Sequence, residues 1–239
     1  MSLTRVDVGP AHVFCSGRTG GVSPAPYESC NVGDHVGDAP EHVRENRRRL
    51  AAAVDAGDPD RWVWIRQVHG TDVHVATAPN GPDVPEADAV VTAVRRLPVA
   101  VLTADCAPVA LACDDAVGVV HAGHRGLEHG VIELAVERLR ETGHGPVRAY
   151  LGPCIRPARY EFGDADLARL VARFGPAVAG RTEAGRPALD IPAAVRAALA
   201  ACGVETFDDS GVCTASSPAY FSYRRDGVTG RQATIAVLQ

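Results

Sequence analysis

Lysine is absent from this 239-residue sequence, and all 24 of its basic residues are arginine. Without lysine the protein cannot form a Schiff base, anchor pyridoxal phosphate or supply the lysine of a nucleotide-binding P-loop. Any catalysis would therefore depend on histidine, cysteine, carboxylate or arginine side chains, or on a bound metal ion.

Long apolar runs are missing as well. No stretch approaches the ~18 consecutive apolar residues that cross a bilayer, and the first residues lack the charged and apolar regions of a signal peptide. The 29 acidic residues outnumber the basic ones and give a net charge of −5, which argues against a general nucleic-acid binder. We therefore expect a cytoplasmic globular protein without a membrane or nucleic-acid partner.

Closely spaced cysteine pairs are the third absence. The seven cysteines are odd in number and include no C-x-x-C pair. The sequence therefore predicts neither a disulfide framework nor a four-cysteine zinc site. Most of the cysteines are expected to be small buried residues with free thiols. Cys106 is the exception, because it precedes a strand that is predicted to pair with a histidine-bearing strand.

The hydrophobic pattern predicts helices and strands that are mixed without strict βαβ alternation. Helices are predicted over residues 40–54, 127–140, 166–174 and 192–201. Strands are predicted over residues 62–65, 73–76, 87–92, 99–103, 109–113, 117–120, 147–151 and 234–238. The first forty residues are expected to be rich in turns, residues 175–187 to form a loop, and the arginine run 47–49 to lie on a solvated helix face. No composition break divides the chain, so we predict an α+β fold with one domain over residues 1–239.

Three short segments concentrate the reactive side chains: RQVHG at 66–70, TADC at 103–106 and HAGHRG at 121–126. The last two flank a predicted β-hairpin. If its turn centres between Asp114 and Asp115, Cys106 faces Gly123, and His121 lies one diagonal step away on the same face. A slip of one residue would place the thiol and the imidazole on opposite faces. The hairpin thus predicts that they are neighbours, on condition of that register.

Thiolate and imidazole are ligands for zinc, copper or iron. We predict that His69 joins Cys106 and His121 as a third ligand, which leaves one tetrahedral position open, as in catalytic zinc sites. Zinc is the predicted ion and copper the alternative, and His124 and His129 compete for ligand roles. A second interpretation needs no metal, because Cys106 would act as a nucleophile with His121 as its base.

A set of motifs that runs in order through residues 18–239 resembles one known family. The motifs are GRTGGVS, SCNVGDHVGD, ENRRRL, RQVHGTDV, ADAVVT, TADCAPV, VVHAGHRG, LGPCI, YEFG and FSYRRDG followed by TGR. The chain is similar to the proteins once labelled multicopper polyphenol oxidases or laccase-like proteins. They are now mostly described as purine nucleoside phosphorylases, and in some bacteria as a peptidoglycan editing factor.

The resemblance implies a single-domain four-layer α/β/β/α sandwich with mixed sheets. It also implies a metal site at His69, Cys106 and His121. The implied activity is the phosphorolysis of adenosine, inosine and methylthioadenosine to a free base and ribose 1-phosphate, together with adenosine deamination. The fold is similar to that of bacterial toxins that deamidate glutamine with a Cys-His pair. The alternative function is therefore a Cys-His hydrolase or amidase in peptidoglycan-precursor editing.

Two departures from the family pattern fall close to these motifs. His124 stands where the family usually has tryptophan, which changes a pocket wall or adds a ligand, and Cys30 stands where it usually has leucine. The laccase label itself does not suit the sequence, because multicopper oxidation needs closely spaced H-x-H runs and none is present. The usual nucleobase-deaminase signature, H-x-E with P-C-x-x-C, is absent too, so deamination would need a different arrangement.

The predicted activity requires proton-transfer groups and an anion site. Asp105 and Glu161 are the candidates for moving the proton. Arginine suits the phosphate because it binds an oxyanion through two parallel hydrogen bonds. The predicted substrate-binding residues are Arg18, Asn31, Gln67, Arg125 and Arg225. The predicted partners are a purine nucleoside and phosphate. No heptad or exposed apolar stripe indicates the oligomeric state, and a monomer is favoured.

Overall fold

In the computed structural model, which describes residues 1–81 and 83–239, two large β-sheets pack face to face between two layers of helix. The strands are β1 (Leu3–Val8), β2 (Ala11–Ser16), β3 (Val63–Trp64), β4 (Val73–Val75), β5 (Ala89–Thr92), β6 (Val99–Thr103), β7 (Ala107–Ala112), β8 (Val117–Ala122), β9 (Arg148–Leu151), β10 (Ala179–Arg181), β11 (Pro187–Leu189), β12 (Thr206–Asp209) and β13 (Gln232–Leu238). The helices are α1 (Pro40–Ala53), α2 (His124–His129), α3 (Val131–Thr142), α4 (Asp164–Phe174), α5 (Ile191–Ala201) and α6 (Tyr223–Asp226). The predicted α+β class and the α/β/β/α layering are confirmed.

Both large sheets mix parallel and antiparallel pairs. One has the strand order β1-β2-β13-β6-β3 and the other β12-β9-β7-β8-β5-β4, while β10 and β11 form a small separate hairpin. The pairs β3–β6, β4–β5 and β9–β12 are parallel. The middle of the second sheet is the antiparallel hairpin β7–β8, which lies between the functional segments.

Strand β7 shows why its sequence is apolar throughout. Val109 and Leu111 face the helices of the outer layer, whereas Ala110 and Ala112 face the other sheet. Side chains alternate across a strand, so a strand that is covered on both faces needs apolar residues at every position. Helix α1 covers the outer face of the first sheet through Leu50, which is fully buried.

The register of the central hairpin is the one predicted from its turn. Ala107 pairs with Ala122, and Pro108 pairs with His121. Extending this pairing by one residue places Cys106 opposite Gly123. The hairpin prediction is therefore confirmed, and it fixes the relative position of the thiol and the imidazole.

Several expectations were wrong in detail. The long helix predicted over 127–140 is two helices, because Gly130 adopts a left-handed conformation, with φ +96°, that ends α2. The loop predicted over 175–187 contains a 3-10 turn (Pro176–Val178) and reaches strands β10 and β11. The turn-rich first forty residues include the hairpin β1–β2, and β12 was not predicted.

Arg47 also differs from the expectation of a solvated helix face. Its guanidinium stacks over the Trp64 ring at 4.2 Å and forms an ion pair with Asp34 at 3.2 Å. Only Arg48 and Arg49 in the arginine run stay on the outer face, where both pair with Glu45. Among the described residues, no helix combines the length and the apolarity needed to cross a bilayer.

Candidate functional site

Three side chains from separate parts of the chain converge beside the central hairpin. His69 lies in the turn after β3, Cys106 lies between β6 and β7, and His121 is the fifth residue of β8. Their donor atoms all lie within 4.8 Å of one another, and Cys106 Sγ is 3.8 Å from His69 Nε2. The predicted trio therefore meets in space and could hold a metal ion.

Asp88 positions the two histidines of the trio. Its carboxylate is fully buried and accepts hydrogen bonds from the main-chain N–H groups of Val68, His69 and Gly70, at 3.1, 3.0 and 2.7 Å. These bonds hold the turn in which His69 adopts the left-handed region, with φ +60°. A conformation of this kind persists only where the surroundings fix it, so Asp88 fixes the backbone from which the His69 side chain extends.

The same carboxylate orients His121. His121 Nδ1 donates to Asp88 Oδ1 at 2.8 Å, and the His121 main-chain N–H donates to the Asp88 carbonyl at 2.7 Å. A proton on Nδ1 leaves Nε2 with a lone pair for a metal ion, as in the carboxylate–histidine–zinc arrangement. Sequence reasoning missed Asp88, although one signal was present, a lone carboxylate within the apolar run ADAVVT.

The electrostatics of the site favour a thiolate. Burial opposes ionisation of Cys106, but the charge of His121 and hydrogen bonds from His121 and His69 outweigh it and lower the pKa of the thiol. Burial likewise opposes protonation of His121, but the thiolate and Asp88 raise the pKa of that imidazole. The thiolate is the form of cysteine that binds a metal ion or acts as a nucleophile.

Gly123 permits the close approach of His69 and Cys106. A Cβ atom added at this position would lie 2.7 Å from His69 Cδ2 and 3.4 Å from Cys106 Sγ. The first separation is far below van der Waals contact, so the imidazole would have to move. The glycine that the hairpin register places opposite Cys106 is thus required by packing within the trio.

We expect Gly123→Ala to weaken metal binding by about tenfold or more, because the displaced imidazole loses its ligand geometry. A competition titration with a chromogenic chelator would measure the change. Gly163→Ala is the matched control, since a Cβ added there meets no atom within 4 Å. Equal metal affinity in the two variants would contradict the packing role of Gly123.

The donor set suits a transition-metal ion such as zinc or copper. Zn–S and Zn–N bonds of about 2.3 and 2.05 Å at a tetrahedral angle place sulfur and nitrogen about 3.6 Å apart, close to the 3.8 Å between Cys106 Sγ and His69 Nε2. The competing ligands lie elsewhere. His124 packs edge-on against Phe162 at 5.2 Å, and His129 is exposed at the end of α2.

A cavity of about 340 Å³ opens beside the trio and is lined by all three of its members. Gln67, Thr103, Tyr223 and Arg231 also line it. A second cavity of about 600 Å³ shares the lining residues His35, Gln67 and Leu102 with the first. The trio thus lies at a concave surface of the size that small ligands occupy.

Two arginines that were predicted to hold phosphate have their guanidinium groups engaged within the protein. Arg18 donates to the Glu28 carbonyl and forms ion pairs with Glu28 and Asp226. Arg225 pairs with Asp226 and donates to three main-chain carbonyls. Arg125 is exposed on α2, outside the residues that line the cavity.

The two predicted amide ligands are engaged as well. Asn31 is fully buried, and its side chain bonds to both main-chain groups of Gly33, to Asp38 and to the Arg231 N–H. Gln67 lines the cavity, but its amide exchanges two hydrogen bonds of 2.7 Å with the Leu102 main chain. Both amides therefore connect elements that build the site.

The two carboxylates that were predicted to move protons differ in position. Asp105 is buried, its φ is +110°, and its oxygens accept from the Thr214 hydroxyl at 2.6 Å and the Arg224 N–H at 2.7 Å. Burial raises the pKa of this carboxyl. Glu161 is exposed and pairs with Arg186 at 3.0 Å, outside the cavity lining.

Arg231 is a cavity residue that sequence reasoning did not single out. It precedes β13 and lines the cavity with the trio. Arg231 belongs to the motif TGR at 229–231, but the phosphate-binding role was predicted for Arg225 of FSYRRDG instead. The adjacent Asp226 pairs with Arg225, whereas Arg231 has no neighbouring carboxylate in the sequence.

Comparison with known proteins gives a consistent family. The family model described as "Multi-copper polyphenol oxidoreductase laccase" matches residues 12–239. A purine nucleoside phosphorylase of Streptomyces coelicolor is 48% identical over 235 residues, covering 96% of each chain. Another of that name, from Streptomyces griseus, is 46% identical over 231 residues, covering 94% of this chain and 93% of the relative.

The fold has a match among solved structures. The crystal structure of a Neisseria meningitidis protein superposes with a TM-score of 0.88 at 31% sequence identity, and the match covers all of both chains. The whole described architecture is therefore shared with that protein, rather than one layer of it.

Proposed function

This chain belongs to the multi-copper polyphenol oxidoreductase laccase family, and we propose that it acts as a zinc-dependent purine nucleoside phosphorylase that also deaminates adenosine. The observation that carries the proposal is the convergence of His69, Cys106 and His121 beside a cavity of about 340 Å³. The names of the two Streptomyces relatives support the nucleoside substrate.

The trio would hold the metal ion through Cys106 Sγ and one ring nitrogen of each histidine. A zinc ion there supplies Lewis acidity, which polarises a ligand and makes water more acidic. The protein's own contribution is orientation. Asp88 fixes the proton position on His121 and the turn that carries His69, so the donors are set before the ion binds.

The phosphorolysis step balances with hydrogen phosphate as co-substrate. A phosphate oxygen forms a bond to C1′ of the ribose while the C1′–N9 bond breaks and its electron pair leaves with the purine. The proton of hydrogen phosphate is transferred to the base, which gives ribose 1-phosphate and the free purine. The requirement on the protein is an anion site beside C1′.

Deamination of adenosine adds water at C6 of the purine and releases ammonia. Asp105 was a candidate for the proton transfer, but both of its oxygens accept hydrogen bonds from the segment around 214–224. We assign Asp105 a positioning role, in which these bonds fix the strained backbone directly before Cys106. Glu161, exposed and paired with Arg186, has no contact that favours a role in this step.

A multicopper oxidase function is not part of the proposal. Such enzymes need several copper ions, each with its own histidine or cysteine ligands. The described residues contain one group of three donors close enough to share an ion. One such site does not support the four-electron chemistry that the family's description suggests.

The alternative function, a thiol hydrolase or amidase, has a specific observation in its favour. Cys106, His121 and Asp88 follow the order of nucleophile, base and orienting carboxylate, with 2.8 Å between His121 Nδ1 and Asp88 Oδ1. This order is the general arrangement of activated nucleophiles. A peptidoglycan precursor would be its substrate class.

The deciding experiment combines elemental analysis of the purified protein with an assay of base release. We expect about one zinc per chain and release of the base from adenosine, inosine and methylthioadenosine that requires phosphate. Adenosine should also give inosine without phosphate. A protein that leaves all three nucleosides unchanged in phosphate would contradict the proposal and favour a non-enzymatic metal-binding or structural role.

A further inference from the structure

Phosphorolysis needs an anion site, and none of the three predicted arginines is available for it in the cavity. Arg125 is exposed on α2, outside the residues that line the cavity. The guanidinium groups of Arg18 and Arg225 already bind carboxylates and carbonyls of the protein. Freeing either group would break an ion pair and leave its partner unsatisfied, which is unfavourable for partly buried groups. The phosphate therefore has to be bound elsewhere.

Arg231 has the required properties. It lines the cavity that holds the trio, and its NH1 group donates to the carbonyls of Thr229 and Gly230, each at 3.0 Å. Those bonds hold the guanidinium in place. Its Nε and NH2 groups make no hydrogen bond to the described residues, and no carboxylate among them pairs with it. Three donors thus remain for a ligand.

The environment of Arg231 is suited to an anion. Burial lowers the pKa of its guanidinium, while the negative charges of Cys106 and Asp105 oppose that shift. A partly buried cation without a bound carboxylate is costly to keep. A tetrahedral oxyanion would satisfy it through two parallel charge-assisted hydrogen bonds, the geometry for which arginine is best suited.

A second, independent observation lies at the same cavity. Thr103, at the end of β6, lines it and is only 2% exposed, and its hydroxyl has no hydrogen-bond partner among the described residues. An unsatisfied buried hydroxyl is uncommon in a folded protein. Rotation about the Cα–Cβ bond moves the hydroxyl between staggered positions without any change in the backbone, so it can donate to a ligand in the cavity.

We propose that Arg231 and Thr103 form the binding site for inorganic phosphate in the cavity beside the metal trio. The identity of the anion rests on the proposed function, since phosphorolysis is what requires phosphate. Arg231 holds two phosphate oxygens through Nε and NH2, Thr103 donates to a third, and the remaining oxygen attacks C1′ of the nucleoside.

The test measures phosphate affinity in two ways, by the KM for phosphate in base release and by calorimetric titration of the purified holoprotein with inorganic phosphate. Arg231→Gln should raise the KM and the dissociation constant for phosphate by about tenfold or more, since it removes charge-assisted hydrogen bonds. Thr103→Val should raise these two constants by a smaller factor, and Thr103→Ser should return them to the wild-type values. Metal content and the KM for the nucleoside should stay at the wild-type level.

Arg138→Gln is the matched control, because Arg138 lies on α3 and pairs with Glu141 away from the cavity. The proposal is overturned if Arg231→Gln and Thr103→Val bind phosphate like the wild type, or if Arg125→Gln alone loses it. Calorimetry tests the anion site separately from the phosphorylase function. Phosphate binding that depends on Arg231, without any base release, would support the anion site and contradict the phosphorylase function.

Discussion

Cys106→Ser is expected to remove the metal ion and the base-releasing activity together. Serine is a poor zinc ligand at neutral pH, and two histidines alone do not complete the site. We expect the metal content to fall to a small fraction of the wild-type value and turnover to fall by ~1000-fold or more, since the loss removes the Lewis acid. Elemental analysis and the nucleoside assay on the same preparation measure both.

Cys202→Ser is the matched control for this variant. Cys202 follows α5 and is partly exposed outside the residues that line the cavity. It should keep metal content and turnover. A Cys106→Ser protein that retains stoichiometric zinc but has lost turnover would contradict the metal-ligand role and support the thiol nucleophile.

Asp88→Asn is expected to have the second-largest effect. The amide retains the size of the carboxylate but loses its charge and presents an NH2 group where N–H donors now point. The Asp88 oxygens accept from three main-chain N–H groups and from His121. We expect metal affinity to fall by ~10- to 100-fold, and the free energy of unfolding of the metal-free protein to fall by ~1–3 kcal/mol.

Asp209→Asn separates the local effect from general destabilisation. Asp209 binds Arg156 through two hydrogen bonds at the end of β12, so its substitution should lower stability without changing metal affinity. Chelator competition and denaturant titration on both variants would measure the two quantities. Wild-type metal affinity in Asp88→Asn would show that Asp88 does not orient the ligands.

The part of the site on the central hairpin could be predicted because its geometry is local. The turn at Asp114 and Asp115 fixes the register, and the register fixes which residues face each other. Cys106 and His121 are only fifteen positions apart along the chain, so one correct turn places both. The split of the predicted long helix at Gly130 was missed because glycine is tolerated within helices, and only the fold shows that this one adopts a positive φ.

The rest of the site depends on contacts between distant segments. Asp88 accepts hydrogen bonds from both His69 and His121. No spacing in the sequence predicts that the two histidines share this partner. Arg18 and Arg225 were predicted to bind phosphate from their residue type and motif. Such a prediction does not include the carboxylates of the protein that compete with phosphate for the same guanidinium groups. Asp226, adjacent to Arg225 and more than 200 positions from Arg18, pairs with both guanidinium groups. A side chain is available to a ligand only when the folded protein has not already satisfied it.

The most direct test of the account is X-ray absorption spectroscopy at the zinc edge of the purified protein. One sulfur at about 2.3 Å and two imidazole nitrogens at about 2.0–2.1 Å are the ligands expected for a catalytic zinc ion. We predict that set, with a lighter atom in the fourth position, and loss of the zinc-edge signal together with the bound metal in Cys106→Ser. A zinc environment without sulfur, or a wild-type protein that binds no zinc, would contradict the account.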